Sequence, residues 1–427
     1  MTYATALRLL DTLPNYEKLV RAESRFDLAH FRSFLKSPGS PERKLRNVIL
    51  VAGTKGKGST CALIDSTLRA AGYKTGLYTS PHLLDIRERI QVSGRMIPRA
   101  EFARLAGRLK PALKAHPVTW FEAVTAIAFL HFLDSEVDFT ILEVGLGGRL
   151  DATNVTTPMI SVITRIGFDH TEILGNTLPK IAREKAGIIR PNGTVVVAPQ
   201  KAVAYRSIHA TARRQNARVI YVPDLFRPHA IVVSSDWTEF ELDHPLVPMP
   251  RRGRWFLELK GRHQVENALT VLAVVLGLRR IGHRIKWRDV DHGFRLARLR
   301  ARCQIVRSRP LLMIDTAHNP ESASALVRCV REFCANRVTF IIGLLRDKPA
   351  ARIVRVLRPV ARRLILVPLD SPRAMPVTEL AAECRDAGIE HQVASRLRPA
   401  MLHTDEPTVV TGSFYLAAEA LRALRLA

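Results

Sequence analysis

The sequence contains few cysteines, few aromatic residues and few acidic residues. Its 427 residues include five cysteines and 6% aromatics, and 39 acidic residues stand against 65 basic ones, giving a formal net charge of +26. No two cysteines form a Cys-x-x-Cys pair, and the odd number leaves at least one thiol unpaired. This argues against a disulfide framework or a zinc site and fits a reducing compartment. We therefore expect a cytoplasmic protein.

Long hydrophobic runs are also absent from the sequence. The longest, 123–133 and 268–278, are shorter than the roughly 18–20 residues of a membrane span. The first residues, MTYATALRLLDTLPNYEKL, lack the basic start and apolar centre of a secretory leader. We expect no membrane partner. A chain of 427 residues, 47% of them hydrophobic, is long enough for two or three domains with their own cores.

The excess of basic residues raises the question of a nucleic-acid partner. Most of these residues are arginines spread along the chain, with small clusters at 251–254 and 295–302. No stretch interleaves aromatic and basic residues as a base-stacking platform would. We therefore expect no nucleic-acid partner. An arginine-rich surface that attracts anionic substrates is the interpretation we favour.

The stretch 48–71, VILVAGTKGKGSTCALIDSTLRAA, organises the chain. Its apolar start over 48–52 predicts a buried parallel strand, a loop with three glycines follows, and Ser59 is predicted to open a helix. Glycines let backbone N–H groups turn towards one point, a helix N-terminus adds partial positive charge, and Lys57 adds a full charge. The stretch predicts a phosphate site, although its spacing departs from G-x-x-x-x-G-K-[ST].

Alternating strand and helix patterns predict an α/β protein with parallel sheets. Predicted strands follow the phosphate loop at 74–78, 139–144, 159–164, 194–198 and 219–222. Short strands between 231 and 260 predict a small β region. The pattern restarts near residue 296, so we predict a first domain over 1–296, which opens with a helical segment, and a smaller α/β domain over 297–427.

Glu143 stands at the end of the apolar run FTILEV. A carboxylate inside an apolar strand is costly unless it is paired or bound to a metal. An acid at the end of a strand beside a phosphate loop is where an NTPase holds magnesium. A buried acid paired with an arginine is the alternative.

Eleven segments resemble folylpolyglutamate synthases and dihydrofolate synthases, which belong to the Mur ligase superfamily. Their order and spacing match the family from about residue 40 to residue 416, and EVGLGGRLDATN is the most specific of them. The segments are GTKGKGST (53–60), TSPHL (79–83), RERI (87–90), FEAVTAIAF (121–129), LEVGLGGRLDATN (142–154), DH (169–170), EKAGIIRP (184–191), GRHQVENA (261–268), DTAHNP (315–320), LLRDKP (344–349) and GSFYL (412–416). The resemblance implies an ATPase domain built on a P-loop-type parallel sheet and a smaller, Rossmann-like glutamate ligase domain.

The resemblance also implies an ATP-dependent amide ligase of folate biosynthesis. Such enzymes convert a carboxylate to an acyl phosphate with ATP, and the amine of L-glutamate then displaces phosphate. The implied acceptors are dihydropteroate, tetrahydrofolate or both. The implied cofactors are ATP, Mg²⁺ at two sites and a monovalent cation such as K⁺, and the implied oligomeric state is a monomer.

The family pattern points to Ser80, Glu143, His170 and Lys185 as magnesium ligands, the last as a carbamate. It also implies catalytic roles for Lys57, Lys185 and His170. A carbamate forms from a neutral amine and carbon dioxide, so Lys185 should be desolvated among other cations. Without the motif, a lysine countering the helix dipole and a structural histidine are the simpler interpretations.

The implied nucleotide-binding residues come from the phosphate loop and from the later motifs. They are Gly53, Thr54, Lys55, Gly56, Lys57, Gly58, Ser59, Asn267, Arg302, Asp315 and His318. Leu299-Arg300-Ala301 precedes Arg302 where the family often has Trp-Pro-Gly, so Arg298 and Arg300 are alternatives to it. Asp347 and Lys348 either position glutamate or the nucleotide, or form a solvated pair in a loop.

The implied acceptor site consists of Thr119, Phe121, Asp151 and Ala152. Phe121 is expected to stack on a pterin ring and Asp151 to bind its amino-pyrimidine edge. Phe121 fits equally well as a core residue.

Lys55 departs from the family, which usually has asparagine at this position. Lysine offers only donors and a charge, whereas asparagine offers a donor and an acceptor. Lys55 either adds affinity for phosphate or marks an altered acceptor. Three rival functions remain: a ligase for another carboxylic acid, an NTPase that depends on nucleic acid, and a basic binding protein without catalysis.

Overall fold

The computed structural model describes residues 1–15, 27–244, 247, 249, 254–334 and 336–426. Residues 16–26 of the predicted helical segment and residues 251–253 of the arginine-rich cluster therefore lie outside the described residues. The chain divides into two compact units. The first comprises Met1–His229, Glu241–Trp255 and Glu266–Ala297, and the second comprises Ala230–Phe240, Phe256–Val265 and Arg298–Ala427. The sequence places 230–240 and 256–265 in the first domain, whereas the structure groups them with the second unit.

An eight-stranded sheet forms the centre of the first unit, with strand order β4-β3-β2-β5-β1-β6-β7-β8. The strands are β1 (Val48–Ala52), β2 (Thr75–Tyr78), β3 (Ile90–Val92), β4 (Arg95–Met96), β5 (Phe139–Glu143), β6 (Ile160–Ile163), β7 (Thr194–Val197) and β8 (Arg218–Tyr221). The helices before β9 are α1 (Tyr3–Asp11), α2 (Leu28–Lys36), α3 (Lys57–Ala70), α4 (Arg99–Ala115), α5 (Trp120–Asp134), α6 (Thr171–Leu174), α7 (Leu178–Ala186), α8 (Ala202–Arg214) and α9 (Val222–Leu225).

Further along the chain, a three-stranded sheet has the order β11-β10-β9. Its strands are β9 (Arg227–Val233), β10 (Thr238–Asp243) and β11 (Trp255–Leu257), and the helices α10 (Arg262–Arg280) and α11 (Trp287–Leu296) follow. This sheet is the small β region that the sequence predicts.

The order of the parallel strands determines where a ligand site can form in the first unit. Strand β1 lies between β5 and β6, and its residue Val51 pairs with Glu143 on one side and Val162 on the other. The chain passes from β1 to β2 on the β5 side and later builds β6, β7 and β8 on the other side. Such a reversal opens a crevice at the carboxyl ends of the strands. The glycine loop leaves β1 at this edge.

Helix α5 shows how the apolar sequence builds the core of the first unit. Its residues, WFEAVTAIAFLHFLD, are apolar on nearly every face, which is typical of a buried helix. Phe129 and Phe132 are fully buried, and burial of each such side chain contributes about 1.5–3 kcal/mol. At its start, Thr119 and Glu122 form a reciprocal capping box that satisfies backbone donors.

The second unit has its own six-stranded sheet, ordered β12-β13-β17-β14-β15-β16. Its strands are β12 (Gln304–Ser308), β13 (Leu311–Ile314), β14 (Val338–Ile342), β15 (Ala361–Leu366), β16 (His391–Val393) and β17 (Thr408–Thr411). Its helices are α12 (Pro320–Phe333), α13 (Ala350–Leu357), α14 (Val377–Asp386) and α15 (Phe414–Ala423). The edge strand β12 is antiparallel to β13, and the other pairs are parallel.

The predicted fold class is confirmed in both units, and the differences are local. The helix after the glycine loop begins at Lys57, two residues before the predicted Ser59. Helices α8, α11 and α14 and the edge strands β12 and β16 were not predicted. None of the helices in the described part of the chain is long and apolar enough to cross a membrane.

A glycine allows α11 to pack closely against α3. A Cβ atom at Gly293 would lie 2.5 Å from the Cα of Thr67, closer than two carbon atoms can approach. Ser66 also donates a hydrogen bond from Oγ to the carbonyl of Gly293, at 2.7 Å. The two backbones therefore touch at this point, in the last turns of α3.

We expect Gly293→Ala to destabilise the first unit because the new methyl group would push α11 away from α3. The loss should be about 1–3 kcal/mol, the usual cost of overpacking, and chemical denaturation would measure it. Gly107→Ala, in helix α4, is the matched control because the nearest atom to its Cβ would be Cε of Met1 at 3.7 Å, an ordinary contact distance. The control should be neutral or stabilising by up to about 1 kcal/mol. Equal destabilisation by both changes would contradict this account of the packing.

Candidate active site

The glycine loop between β1 and α3 fits its surroundings only because two of its positions, Gly53 and Gly56, lack side chains. A Cβ at Gly53 would lie 1.8 Å from Oγ1 of Thr164. Gly56 has a φ of +86°, and a Cβ there would lie 2.2 Å from Oδ1 of Asn267. The loop is therefore pressed against the segment after β6 and against α10. The sequence assigned both Asn267 and the glycine loop to nucleotide binding, and the structure brings the two into contact.

Lys57 is the first residue of α3, and Gly56 caps that helix without a side-chain hydrogen bond. The unsatisfied N–H groups of the first turn and the helix dipole favour an anion at this point. Ser59, in the same turn, is buried. The geometry suits the phosphates of a nucleotide, as the sequence predicts.

Glu143 faces the start of α3 from the end of β5. It is 4% exposed, and its Oε2 accepts a hydrogen bond from the backbone N–H of Ser80 at 3.0 Å. A Cβ at Gly58 would lie 3.5 Å from the same oxygen. Ser80, Glu143 and the first turn of α3 are thus adjacent.

These residues fit a magnesium ion that is shared with a nucleotide. Among the described residues, no three His, Cys, Asp or Glu side chains come together as a metal site. Mg²⁺ needs no such protein cage, because it is usually held by one or two carboxylates, water and substrate phosphates. Glu143, beside the predicted phosphate position, supplies a carboxylate of this kind.

Asp169 and His170 follow β6 at the same edge of the sheet. His170 has a φ of +51° and precedes α6. Its backbone N–H donates to Oδ1 of Asp169 at 3.2 Å, and Nζ of Lys55 donates to Oδ2 of Asp169 at 3.2 Å. The structure thus connects the predicted ligand His170 to the glycine loop through Asp169. The sequence reasoning did not assign Asp169, although its position in the Asp-His motif was a signal.

Lys185 is buried near the end of α7, with 4% of its surface exposed. A Cβ at Gly148 would lie 3.0 Å from the Cα of Lys185, so the loop after β5 packs directly on the helix. The pKa of Lys185 is lowered to about 7, chiefly by burial and then by the charges of Lys57 and Lys55, against the opposing effect of Asp169 and Asp151. A buried lysine among other cations has the neutral amine that carbamate formation needs.

The residues predicted to bind the acceptor lie around the loop after β5. Phe121 is half-buried, its ring lies 5.9 Å from that of Tyr78, and a Cβ at Gly145 would lie 2.6 Å from its Cζ. Thr119 caps α5, and Ala152 is buried. Phe121 therefore packs on the core while part of its surface remains exposed.

Asp151 holds its own loop in shape. Its Oδ2 accepts the N–H of Leu146 at 2.9 Å, and its Oδ1 accepts the N–H and the hydroxyl of Thr153 at 3.0 and 2.6 Å. Burial raises the pKa of the Asp151 carboxyl, and these hydrogen bonds oppose the rise. Both oxygens serve the loop, a role that the sequence reasoning did not assign.

The remaining predicted nucleotide residues belong to the second unit and form a cluster there. The guanidinium of Arg302 lies 4.9 Å above the ring of Phe414, and the ring of His318 lies 5.9 Å from it. Asp315 accepts the N–H of Cys303 at 2.8 Å and that of Ala317 at 2.7 Å. Burial raises the pKa of Asp315, and the charge of Arg302 opposes this. Phe414 joins the cluster and was not assigned, although it lies in the GSFYL segment.

Arg298, one of the two alternatives to Arg302, and the Asp347–Lys348 pair both have charged partners. Nη1 of Arg298 donates a hydrogen bond to Oε1 of Glu258 at 2.7 Å, and 75% of the arginine side chain is exposed. Oδ2 of Asp347 lies 3.0 Å from Nζ of Lys348, and its Oδ1 lies 2.7 Å from Nη2 of Arg373. Burial raises the pKa of the Asp347 carboxyl, but these two cations outweigh it and the pKa is lowered. The pair is thus part of a three-residue ion network in its loop.

Comparison with known proteins identifies the class to which this fold and site belong. Residues 51–275 match the model of the Mur ligase middle domain, and residues 301–411 match that of the Mur ligase, glutamate ligase domain. A parallel sheet with a glycine loop, followed by a second α/β unit, is therefore the arrangement of a Mur ligase.

Individual relatives narrow the identification. The chain is 34% identical to the dihydrofolate synthase/folylpolyglutamate synthase of Bacillus subtilis over 93% of this chain and 95% of the relative. It is 33% identical to the Escherichia coli enzyme of the same name, over 88% of this chain and 86% of the relative. A structure of Mycobacterium tuberculosis folylpolyglutamate synthase with ADP and AMPPCP superimposes with a TM-score of 0.86 at 30% identity, covering 98% and 97%. The chain belongs to the dihydrofolate synthase/folylpolyglutamate synthase family.

We expect Gly56→Ala to weaken nucleotide binding because its Cβ would displace Asn267 from the loop. ADP affinity, measured by calorimetry, should fall about tenfold or more. Gly72→Ala is the matched control, since Gly72 has nearly the same φ, +89°, and no atom within 4 Å of its Cβ position. The control carries the backbone strain without the collision and should keep wild-type affinity. Similar losses in both variants would show that strain alone, and not contact with Asn267, sets the requirement for glycine.

Proposed function

We propose that this chain is an ATP-dependent amide ligase that adds L-glutamate to dihydropteroate, to tetrahydrofolate and its glutamylated forms, or to both. The observation that carries the proposal is the match along nearly the whole chain to enzymes named for these two activities. A related Escherichia coli structure, at 29% identity and a TM-score of 0.85, is described as a complex with DHPP and ADP. Another, at 27% identity, is described as a complex of folylpolyglutamate synthase with AMPPCP and folate.

The proposed reaction has two steps. In the first, an oxygen of the acceptor carboxylate attacks the γ-phosphorus of ATP, the bond to the β-phosphate oxygen breaks, and ADP leaves. In the second, the amine of glutamate attacks the acyl carbon, the carbon–oxygen bond to phosphate breaks, and the amine proton is released. Charge builds on the transferred phosphoryl group, and stabilising it is the main task of the site.

Lys57 and the first turn of α3 are placed to meet that charge. The helix start provides N–H donors that need no rearrangement, and Lys57 adds a full positive charge beside them. Gly53 and Gly56 let the loop pack against Thr164 and Asn267, which holds its backbone in place. Asn267, against Gly56, is proposed to contact the nucleotide. Arg302, Asp315 and His318 are also proposed as nucleotide-binding residues, as the family resemblance implies.

Magnesium is the proposed metal, with Glu143, Ser80 and His170 as the residues that would hold it. When bound, it neutralises phosphate charge and orients the phosphoryl group. A second magnesium beside a carbamate on Lys185 and a monovalent cation such as K⁺ are parts of the same proposal. The buried amine of Lys185 and its lowered pKa support the carbamate, since only the neutral amine captures carbon dioxide.

Thr119, Phe121, Asp151 and Ala152 are proposed to form the acceptor site. The exposed part of Phe121 provides a surface for stacking, and Asp151 shapes the loop beside it through its three hydrogen bonds. We also propose that the enzyme acts as a monomer in the cytoplasm. The free cysteines of the described chain support a reducing compartment.

Phosphate release in the presence of ATP, Mg²⁺ and L-glutamate tests the proposed function. We expect turnover with dihydropteroate, with tetrahydrofolate, or with both, and the pattern separates a dihydrofolate synthase, a polyglutamylating enzyme and a bifunctional one. Product mass should increase by one glutamyl residue per cycle. A preparation that binds ATP but turns over neither acceptor would refute the folate assignment and favour another carboxylic acid. Stimulation by DNA or RNA alone would favour the nucleic-acid-dependent NTPase.

Replacing Lys185 tests the carbamate. Lys185→Ala should abolish turnover, and a short carboxylic acid such as acetate should restore part of it, because it supplies the missing oxygens. Lys180→Ala is the matched control, since Lys180 is an exposed lysine of the same helix, and it should turn over like the wild type. Because the amine must be neutral, carbon dioxide should activate the wild-type enzyme more strongly above a pH of about 7 than below it. Wild-type rates in Lys185→Ala would remove the residue from the mechanism.

A further inference from the structure

Lys55, the residue that departs from the family pattern, forms an ion pair with a carboxylate. Its Nζ lies 3.2 Å from Oδ2 of Asp169. The sequence left two roles open for this lysine, affinity for phosphate or a change of acceptor. The ion pair indicates a third role, which concerns the segment that carries His170.

The backbone on either side already ties the glycine loop to this segment. The N–H groups of Thr54 and Lys55 both donate to the carbonyl of Arg165, at 3.0 and 3.1 Å. Oγ1 of Thr54 donates to the carbonyl of Gly167 at 3.2 Å. These three bonds fix the first half of the segment 165–170. The ion pair of Lys55 reaches further along the same segment, to Asp169.

Asp169 divides its two oxygens between Lys55 and His170. Oδ2 faces Lys55, while Oδ1 accepts the backbone N–H of His170 at 3.2 Å. Oδ1 also lies 3.8 Å from Nε2 of the same histidine. His170 has a φ of +51°, which is an unfavourable backbone conformation for a residue with a Cβ and persists where neighbouring contacts impose it.

The ion pair is shielded from solvent. The side chains of Lys55 and Asp169 are 25% and 14% exposed, so water and salt screen their attraction less than they screen a surface pair. An asparagine at position 55 is shorter and uncharged, and it would form no such pair. The contact is therefore a consequence of the lysine that this chain has in place of asparagine.

We propose that Lys55 is a positioning residue that holds Asp169, and through it the backbone of His170, against the glycine loop, so that the histidine is set in place for the metal–nucleotide complex. The proposal rests on the proposed function of this site. In this proposal Lys55 links two loops, and Lys57 supplies the charge that meets the phosphates. Its consequence is that Lys55 and Asp169 act as one unit on magnesium-dependent nucleotide binding.

A double-mutant cycle tests this coupling. ADP affinity is measured by calorimetry, with and without Mg²⁺, for the wild type, Lys55→Met, Asp169→Asn and the double variant. Each single change should reduce the gain in affinity that Mg²⁺ provides by about fivefold, and the double variant should lose no more than either single one. Lys55→Arg should retain the wild-type gain. Lys201→Met, at an exposed lysine before α8, is the matched control and should behave like the wild type.

Two results would overturn the proposal. If Lys55→Met weakens ADP binding equally with and without Mg²⁺, the lysine contacts phosphate directly. If the losses multiply in the double variant, Lys55 acts independently of Asp169. Because the cycle measures nucleotide binding, it remains informative if neither dihydropteroate nor tetrahydrofolate is turned over, and failure of the proposed function is then seen separately in the phosphate-release assay.

Discussion

At Gly53 and Gly56 the backbone of the glycine loop lies closer to its neighbours than any residue with a Cβ would allow, and the first unit depends on this approach. Gly53 meets Thr164 after β6, Gly56 meets Asn267 on α10, and Gly58 lies beside Glu143 at the end of β5. One short loop is thus in contact with three separate elements at the carboxyl edge of the sheet. Parallel pairing of β1 with β5 and β6 brings those elements to the same edge.

The same edge concentrates charge in a buried volume. Lys57 and Lys55 act on Lys185 from the glycine loop, and Asp169 and Asp151 act on it in the opposite sense. Because the amine is buried, it loses the hydration that favours its charged form, and the nearby cations add to this effect. Folding therefore converts an ordinary lysine of the sequence into a group with a pKa near neutrality. This change is what makes the proposed carbamate chemically reasonable.

Much of the fold could be predicted, because apolar runs, glycines and helix starts are local signals. The strands 48–52, 139–144 and 159–164 were predicted from apolar patterning and lie within one residue of their observed bounds. Helices α8 and α14 are rich in polar residues, and their periodicity was missed. The grouping of residues 230–240 and 256–265 with the second unit rests on contacts between distant parts of the chain, which no local pattern records.

The sequence by itself determined the family, the α/β class and the glycine loop between β1 and α3, because these depend on residue types at fixed spacing. Only the tertiary structure decided which side chains meet. It showed that Asp151 holds its own loop through Leu146 and Thr153, that Phe414 joins Arg302 and His318, and that Lys55 faces Asp169. The contacts of Phe414 and of Lys55 join residues that are far apart in the chain. Their geometry is set by how strands and helices pack, since a local pattern of residues carries no information about distance in space.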